Sequence, residues 1–329
     1  MIKSHYLYKG LPPTGYLKVG GLSATTRTAK SGRAYHSPER YDHFVVTTTE
    51  RDVTGNLLPD QGIHAELGDK PTAIPIILLY DDEHLNMTTE FCCYVGTRRW
   101  CHGDGETATQ RKFHKSGTEI VWEQSFENVA CPCKFLNDKC KPLGTLRCLL
   151  TCSPNVGGCY QFRTTSWNSI SGCLNSQSLI KAATGGLLRG IPLQLRLVNR
   201  QVPTPQGNVV MPIVHVEFSG NLLALYQQTR IIAEQRREML QDVGNLETQA
   251  RLMLTAGIET LTPEEDTATA VEFYPDRPET PEDLPTETPD DERVMMRLGW
   301  SEERKEAFRT QFPELSDRLI ELAKVESGG

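Results

Sequence analysis

Apolar residues in the first 220 positions fall into short runs separated by turn formers: Tyr16 to Val19, Phe44 to Thr49, Ile74 to Leu79, Met87 to Val95, Leu146 to Cys152, Tyr160 to Thr165, Leu193 to Val198 and Val209 to Phe218. Runs of this length, rich in β-branched and aromatic residues and bounded by Gly, Pro, Asn and Asp, predict strands. One helix is predicted among them, around Ser176 to Ala183, and no internal repeat is visible. Strands that follow one another with so little helix between them predict an α+β body dominated by antiparallel pairing. From Leu222 to Leu254 the spacing changes. Leu222, Leu225, Ile232, Met239, Val243, Leu246 and Leu252 recur among charges, the pattern of one long or broken amphipathic helix, with Gly244-Asn245 as its expected break. Near the end of the chain, Met295, Met296, Leu298, Trp300, Phe308, Phe312, Leu315, Leu319, Ile320 and Leu322 return at roughly helical spacing around Gly299 and Pro313, predicting short helices.

Charge divides the chain further. Residues 259–292 hold thirteen Asp or Glu against one Arg, with six prolines and few large apolar residues, so this stretch cannot bury enough surface to offset its ordering entropy and reads as a disordered linker. Residues 293–329 sum to zero, and residues 1–258 carry 27 Lys or Arg against 22 Asp or Glu, a net of +5. The expected organisation is an α+β body over 1–220, an amphipathic helical segment over 221–258, the acidic linker over 259–292, and a small helical C-terminal module over 293–329. No run approaches the roughly 18 apolar residues of a membrane helix, and the first residues, MIKSHYLYKGLPPTG, lack the apolar centre of a secretory signal. These features point to a cytoplasmic protein with no membrane partner.

In a reducing compartment ten cysteines read as metal ligands or buried small residues rather than as disulfides. Cys92, Cys148, Cys152 and Cys173 sit in or beside apolar runs and fit burial. Cys131 and Cys133 flank a proline in a polar stretch and fit burial poorly. Together with Cys101 and Cys140 they form a set of four thiolates in a turn-rich loop between two predicted strands, the donor set of a closed, structural Zn2+ site that staples the loop. His102, His114 and Cys159 are reserve ligands. A catalytic zinc would instead need a vacant position and a general base, which Asp104 or Glu106 could supply.

No phosphate loop, dinucleotide fingerprint, HExxH or GxSxG occurs, so the chain reads as a non-enzyme. Two basic features could touch nucleic acid: Arg98-Arg99 beside Trp100, and Arg163 with Trp167 and Asn168. Each reads equally well as a solvated loop with its tryptophan packed as an anchor. A net of +5 over 258 residues does not imply strong autonomous DNA binding.

The order of motifs carries a resemblance over roughly residues 8 to 220. It runs from an early Gly-Tyr-Leu-Lys-Val-Gly strand through Ile74-Pro-Ile76, Cys101-His-Gly-Asp-Gly105, Cys131-Pro-Cys133, Cys140-Lys-Pro142, Phe162-Arg-Thr-Thr165, Trp167-Asn-Ser169 and Gly185-Gly186 to Ile191-Pro-Leu-Gln-Leu195. This series resembles the recombination directionality factor-like family of phages and mobile elements, whose members work with large serine integrases. The resemblance implies a non-enzymatic partner protein that binds an integrase on attachment-site DNA and turns it from integration to excision. It also implies that Cys101, Cys131, Cys133 and Cys140 are metal ligands. Leu222, Leu225, Ile232 and Met239 are the candidate partner-binding residues, because an apolar stripe can lie along a coiled coil; the same stripe can instead pack on the protein's own sheet. Two other readings stand beside this one: an accessory recombination protein that binds single-stranded DNA or a recombinase, and a metal-dependent hydrolase.

Overall fold

The computed structural model describes residues 11–28, 34–52, 56–116, 119–131, 139–153, 157–204, 207–238, 243–255, 263–278 and 280. In chain order the elements are β1 (Pro13–Thr28), β2 (Ala34–Arg51), β3 (Leu57–Pro59), α1 (Gln61–Leu67), β4 (Ala73–Leu78), α2 (Glu83–Asn86), β5 (Met87–Val95), β6 (Arg98–Gly103), β7 (Thr107–Ser116) and β8 (Glu119–Ala130). There follow β9 (Cys140–Leu150), β10 (Cys159–Thr164), α3 (Trp167–Ala183), β11 (Pro192–Thr204), β12 (Gly207–Glu217), α4 (Leu222–Glu238), α5 (Val243–Thr255) and α6 (Pro263–Phe273). The fold is α+β with a mostly antiparallel sheet, as the strand pattern predicts. Among the described residues no helix is long and apolar enough to cross a membrane.

The chain divides into two compact units, and β5 and β9 carry it from one to the other. The first unit comprises residues 1–90 and 142–275. Its strands run in the order β3-β2-β1-β10-β9-β4-β11-β12. The β1/β10 pair is parallel, with Tyr16 opposite Gln161 and Leu17 opposite Phe162. The other pairs are antiparallel. Alternation explains β4: Ile74, Ile76 and Leu78 are fully buried while the residues between them are not. They join Leu17, Phe44, Val46, Leu146 and Phe162 in one core, where Phe44 and Phe162 meet edge to face at 6.4 Å.

Helix α3 begins at Trp167, well before the expected Ser176, because the Ser166 side chain caps it by accepting from Ser169 N. It lies along β12, an edge strand. The Ser169 hydroxyl accepts from Val214 N at 3.2 Å and the Ser176 hydroxyl from Val216 N at 3.1 Å, so two side chains two turns apart satisfy edge groups that would otherwise need another strand. Close approach also explains Gly144, where a Cβ would come within 2.7 Å of both Ile170 and Met87.

The expected long helix is described as two helices, α4 and α5, and Gly244-Asn245, the expected break, lies inside the first turn of α5. Asn221 starts α4 by accepting from Ala224 N at 2.9 Å. The Asp81 carboxylate then holds both the segment after α3 and the end of α4, accepting from Leu188 N, Arg189 N and Arg236. Glu247 of α5 accepts in turn from Asp81 N and Asp82 N.

The second unit comprises residues 91–141 and 276–329. Its described part is an antiparallel meander in the order β5-β6-β7-β8. The stretch from 101 to 140, expected as a metal-wrapping loop, is therefore largely strand. The reason is cross-strand pairing: Phe113 faces Trp122 with ring centroids 5.8 Å apart, Arg111 lies 4.9 Å over the Phe126 ring, and Lys112 reaches Glu127 at 3.3 Å. Residues 276–278 dock on this unit, with Gly96 N donating to Pro278 O and Lys139 Nζ to Asp276 O.

One further expectation needs correction. Within the stretch 259–292, read above as a disordered linker, residues 263–273 form α6. Composition alone missed that this short segment has partners on the first unit, described below. The rest of that stretch from 281, and the C-terminal segment 293–329, lie outside the described residues.

Candidate functional site

Three features carry the chemistry singled out from the sequence. The first is the cysteine cluster of the second unit. Cys101 lies on β6 directly opposite Cys93 on β5, and Cys140 opens β9. These three pack with Val95, Trp100 and Ala108, and Cys131 lies at the margin of the same cluster. Three of the four expected ligands thus share one cluster, Cys101 and Cys140 buried and Cys131 half-buried, while Cys133 lies outside the described residues. Thiol donors suit zinc, but among the described residues no three donor side chains are gathered closely enough to hold an ion. Of the reserve ligands, His102 pairs with Cys92 across β5 and β6, the side chain of His114 lies outside the described residues, and Cys159 belongs to the first unit. Cys93 was read only as part of a strand, and its place opposite Cys101 becomes visible once β5 and β6 pair.

Asp104 has a different task from the general base considered above. Its carboxylate accepts from Glu106 N and Thr107 N, both at 2.8 Å, and so builds the tight turn joining β6 to β7. Gly105 completes that turn at φ +97°, a backbone conformation that favours glycine. His-Gly-Asp-Gly is a hairpin signature here.

The second feature is the set of basic residues proposed to meet nucleic acid. Arg98 is exposed on β6, whereas Arg99 is 6% exposed and forms part of the packed interior. Trp167 and Asn168 form the exposed first turn of α3. Arg163, on β10, does not face solvent. Its guanidinium donates to Gln161 at 2.8 Å, to Thr269 at 2.9 Å and to Glu265 at 2.9 Å, and lies 5.0 Å over the Tyr16 ring. The Arg163 and Glu265 side chains are only 7% and 10% exposed. Burial lifts the Tyr16 phenol above its ordinary value, against the opposing pull of Arg163. Seven residues along α6 a second carboxylate, Glu272, pairs with Lys18 of β1.

Helix α6 therefore lies on the β1/β10 face, and its Thr269 and Ala270, like Tyr274 just after it, are buried. Lys18, Glu265 and Glu272 were missed by the sequence reading. A signal for them exists: Thr262-Pro-Glu-Glu265 has the form of a capping box with proline at the first helical position.

The third feature is α4. Leu225 and Ile232, expected to meet a partner, are 5% and 6% exposed and belong to the main core. Of the four residues of that expected contact, Leu222 is exposed at 56% and Met239 lies outside the described residues. The apolar residues α4 does present outward are Leu222, Leu223, Tyr226 and Ile231. The apolar stripe was real, but its inward side serves the protein's own sheet.

No curated protein and no solved structure matches the chain. A family model does, described as Gp3-like, recombination directionality factor-like, over residues 19–219. That span runs from β1 through both units to the end of the β11/β12 hairpin, stops short of α4, and includes Cys101, Cys131, Cys133, Cys140 and Arg163. Covering well over half of the sequence, this match means that the chain belongs to the recombination directionality factor-like family, a family of accessory factors in DNA recombination.

Proposed function

We propose that this protein is a recombination directionality factor that binds a serine integrase on attachment-site DNA and switches it from joining attP with attB to joining attL with attR. The observation that carries the reading is family membership across residues 19–219. Two features of the chain support it: Arg163 and Arg99 are committed internally, and α4 presents Leu222, Leu223, Tyr226 and Ile231 to solvent. An exposed apolar helical face suits a coiled-coil arm better than a phosphate backbone does. The mechanism is a population shift, in which the factor binds one placement of the integrase arm more tightly than the others and so raises its share.

The cysteines contribute stability rather than catalysis in this reading. Cys101, Cys131, Cys133 and Cys140 would hold a structural zinc whose four thiolates leave no vacant position, tying β6 and the β8–β9 connection together. The deciding experiment is in vitro recombination with the integrase of the same element, run on attL with attR and on attP with attB. Added protein should promote the first reaction and suppress the second. If neither changes while integrase alone is active, the reading fails. An accessory role on single-stranded DNA then takes its place, for which the exposed Trp167 at the start of α3 is the specific support.

A further inference from the structure

Helix α6 sits on the β1/β10 face in a way that resembles a bound ligand more than a core element. None of its residues belongs to the main hydrophobic core. Its polar anchors are two carboxylates seven residues apart, Glu265 on Arg163 and Glu272 on Lys18, which places them about 10.5 Å apart along one helical face. The fit is incomplete, since a cleft stays open between floor and helix, lined by Tyr16, Arg51, Gln161, Ala268 and Phe273. The floor residues Gln161 and Arg163 fall within the family match, whereas α6 lies beyond its end at residue 219.

The floor cannot be left bare cheaply. Arg147 of β9 is 5% exposed, its Nε has no hydrogen-bond partner among the described residues, and Arg163 and Glu265 both act on it electrostatically, together with Glu90. Withdrawing Glu265 would leave the buried Arg163 guanidinium without its paired carboxylate and remove one of the anions acting on Arg147, a costly state. Any departure of α6 is therefore an exchange for another anionic group. What the floor reads is a helix: carboxylates one heptad apart, with the small residues Ala268, Thr269 and Ala270 between them and Phe273 just beyond the second. An eleven-residue helix is marginal by itself in water, so α6 is formed by the same contacts it would lose on leaving.

We propose that the β1/β10 face beneath α6 is a docking site for an acidic amphipathic helix of the protein's recombination partner, and that α6 occupies it as an intramolecular stand-in until that helix displaces it. The inference rests on the partner-binding reading above only for whose helix it is. The site itself is tested without integrase or attachment-site DNA.

The probe is a fluorescently labelled peptide of residues 263–275, titrated by anisotropy into the full chain and into full-length Ala270→Asp, which puts a charge at a fully buried contact of α6 and leaves the floor intact. Hydrogen exchange should show protection lost at 263–275 and kept in β1 and β10. A stand-in that occupies its site nearly all the time lowers apparent affinity by the fraction left open, so the variant should bind the peptide roughly tenfold to a hundredfold more tightly. Adding Arg163→Glu should abolish that gain, and Glu265→Gln with Glu272→Gln should reproduce it. The proposal is overturned if peptide affinity is unchanged while 263–275 exchanges freely, or if β1 and β10 lose protection together with α6, which would make the helix an integral part of the fold. A gain for duplex DNA equal to or above that for the peptide would also overturn it, assigning the face to nucleic acid.

Discussion

Replacing Asp81 by Asn probes how α4 is held on the body. The Asp81 carboxylate accepts from Leu188 N at 2.7 Å, from Arg189 N at 2.8 Å and from the Arg236 guanidinium at 2.7 and 3.1 Å. Asparagine keeps the shape and one acceptor oxygen, but it turns an NH2 toward donors and removes the anion facing Arg236. Hydrogen bonds to charged groups contribute roughly 1.5–3 kcal/mol each, and breaking a buried ion pair from one side costs about 3–5 kcal/mol. The Arg236 and Asp81 side chains are 14% and 15% exposed, so water recovers part of the loss. The lower end of that range, about 3 kcal/mol, is expected. At about 2–4 °C per kcal/mol for a unit of this size, Tm should fall by about 6–12 °C. Arg251→Ala is the control: it removes the partner of Asp82 but is itself 60% exposed, and should cost no more than about 1 kcal/mol. The pH dependence gives a second readout. Burial alone would raise the Asp81 carboxyl, but the bonds from Arg236, Leu188 N and Arg189 N outweigh it and hold the group below its usual range. A depressed carboxylate contributes stability that is fully present above its unfolded pKa of about 3.9 and is lost as pH falls through its folded value. The difference between wild type and Asp81→Asn should therefore be constant above pH ~5 and shrink below pH ~4. Thermal unfolding followed by circular dichroism measures both. A variant within about 1 kcal/mol of wild type at pH 7, or a difference that persists unchanged to pH ~3, refutes the clamp.

Two predictions concern the other features. Protein purified without chelator should carry one zinc per chain, and Cys133→Ser should lower both metal content and Tm, because binding energy at such a site is folding energy; elemental analysis that finds no zinc removes the idea. On α4, Leu223→Asp at a residue 64% exposed should change stability by no more than about 0.5 kcal/mol yet weaken integrase pull-down, whereas Leu225→Ala in the core should cost about 2–5 kcal/mol. Equal binding by wild type and Leu223→Asp would show that the outward face of α4 is not the contact.

How much of this was legible in the sequence depended on whether one side of an element is apolar. Strand β4 was plain because Ile74, Ile76 and Leu78 alternate with residues that stay partly accessible. Strands β7 and β8 were not. Their sequences, TATQRKFHKS and EIVWEQSFENVA, carry charge throughout, and they are held by cross-strand pairs such as Phe113 with Trp122 that no periodicity reveals. With cysteines at 101, 131 and 140 around it, that stretch read as a loop where the structure forms a meander. In α3 the cap at Ser166 was overlooked in favour of the more helix-like residues after Ser176, so Trp167 and Asn168 were read as loop. Leu225 and Ile232 were recognised as one stripe, but a stripe does not say which surface it faces.

Charge was the least legible property, because summing it by segment treats segments as if they never met. Residues 1–258 carry a net of +5 and look weakly basic in isolation, but α6 returns Glu264, Glu265, Asp266 and Glu272 to that body and cuts its excess to about +1. The carboxylates do not merely dilute the charge, since Glu265 and Glu272 engage Arg163 and Lys18 directly. Phosphate contacts depend on cations that can reach the backbone, and each one that is neutralised in place weakens binding and flattens its salt dependence. A protein arranged in this way gains little from approaching naked DNA. Under the proposed function it would act to most effect where another protein already holds the DNA and offers an apolar or acidic helix to bind, as an integrase seated at its attachment site would.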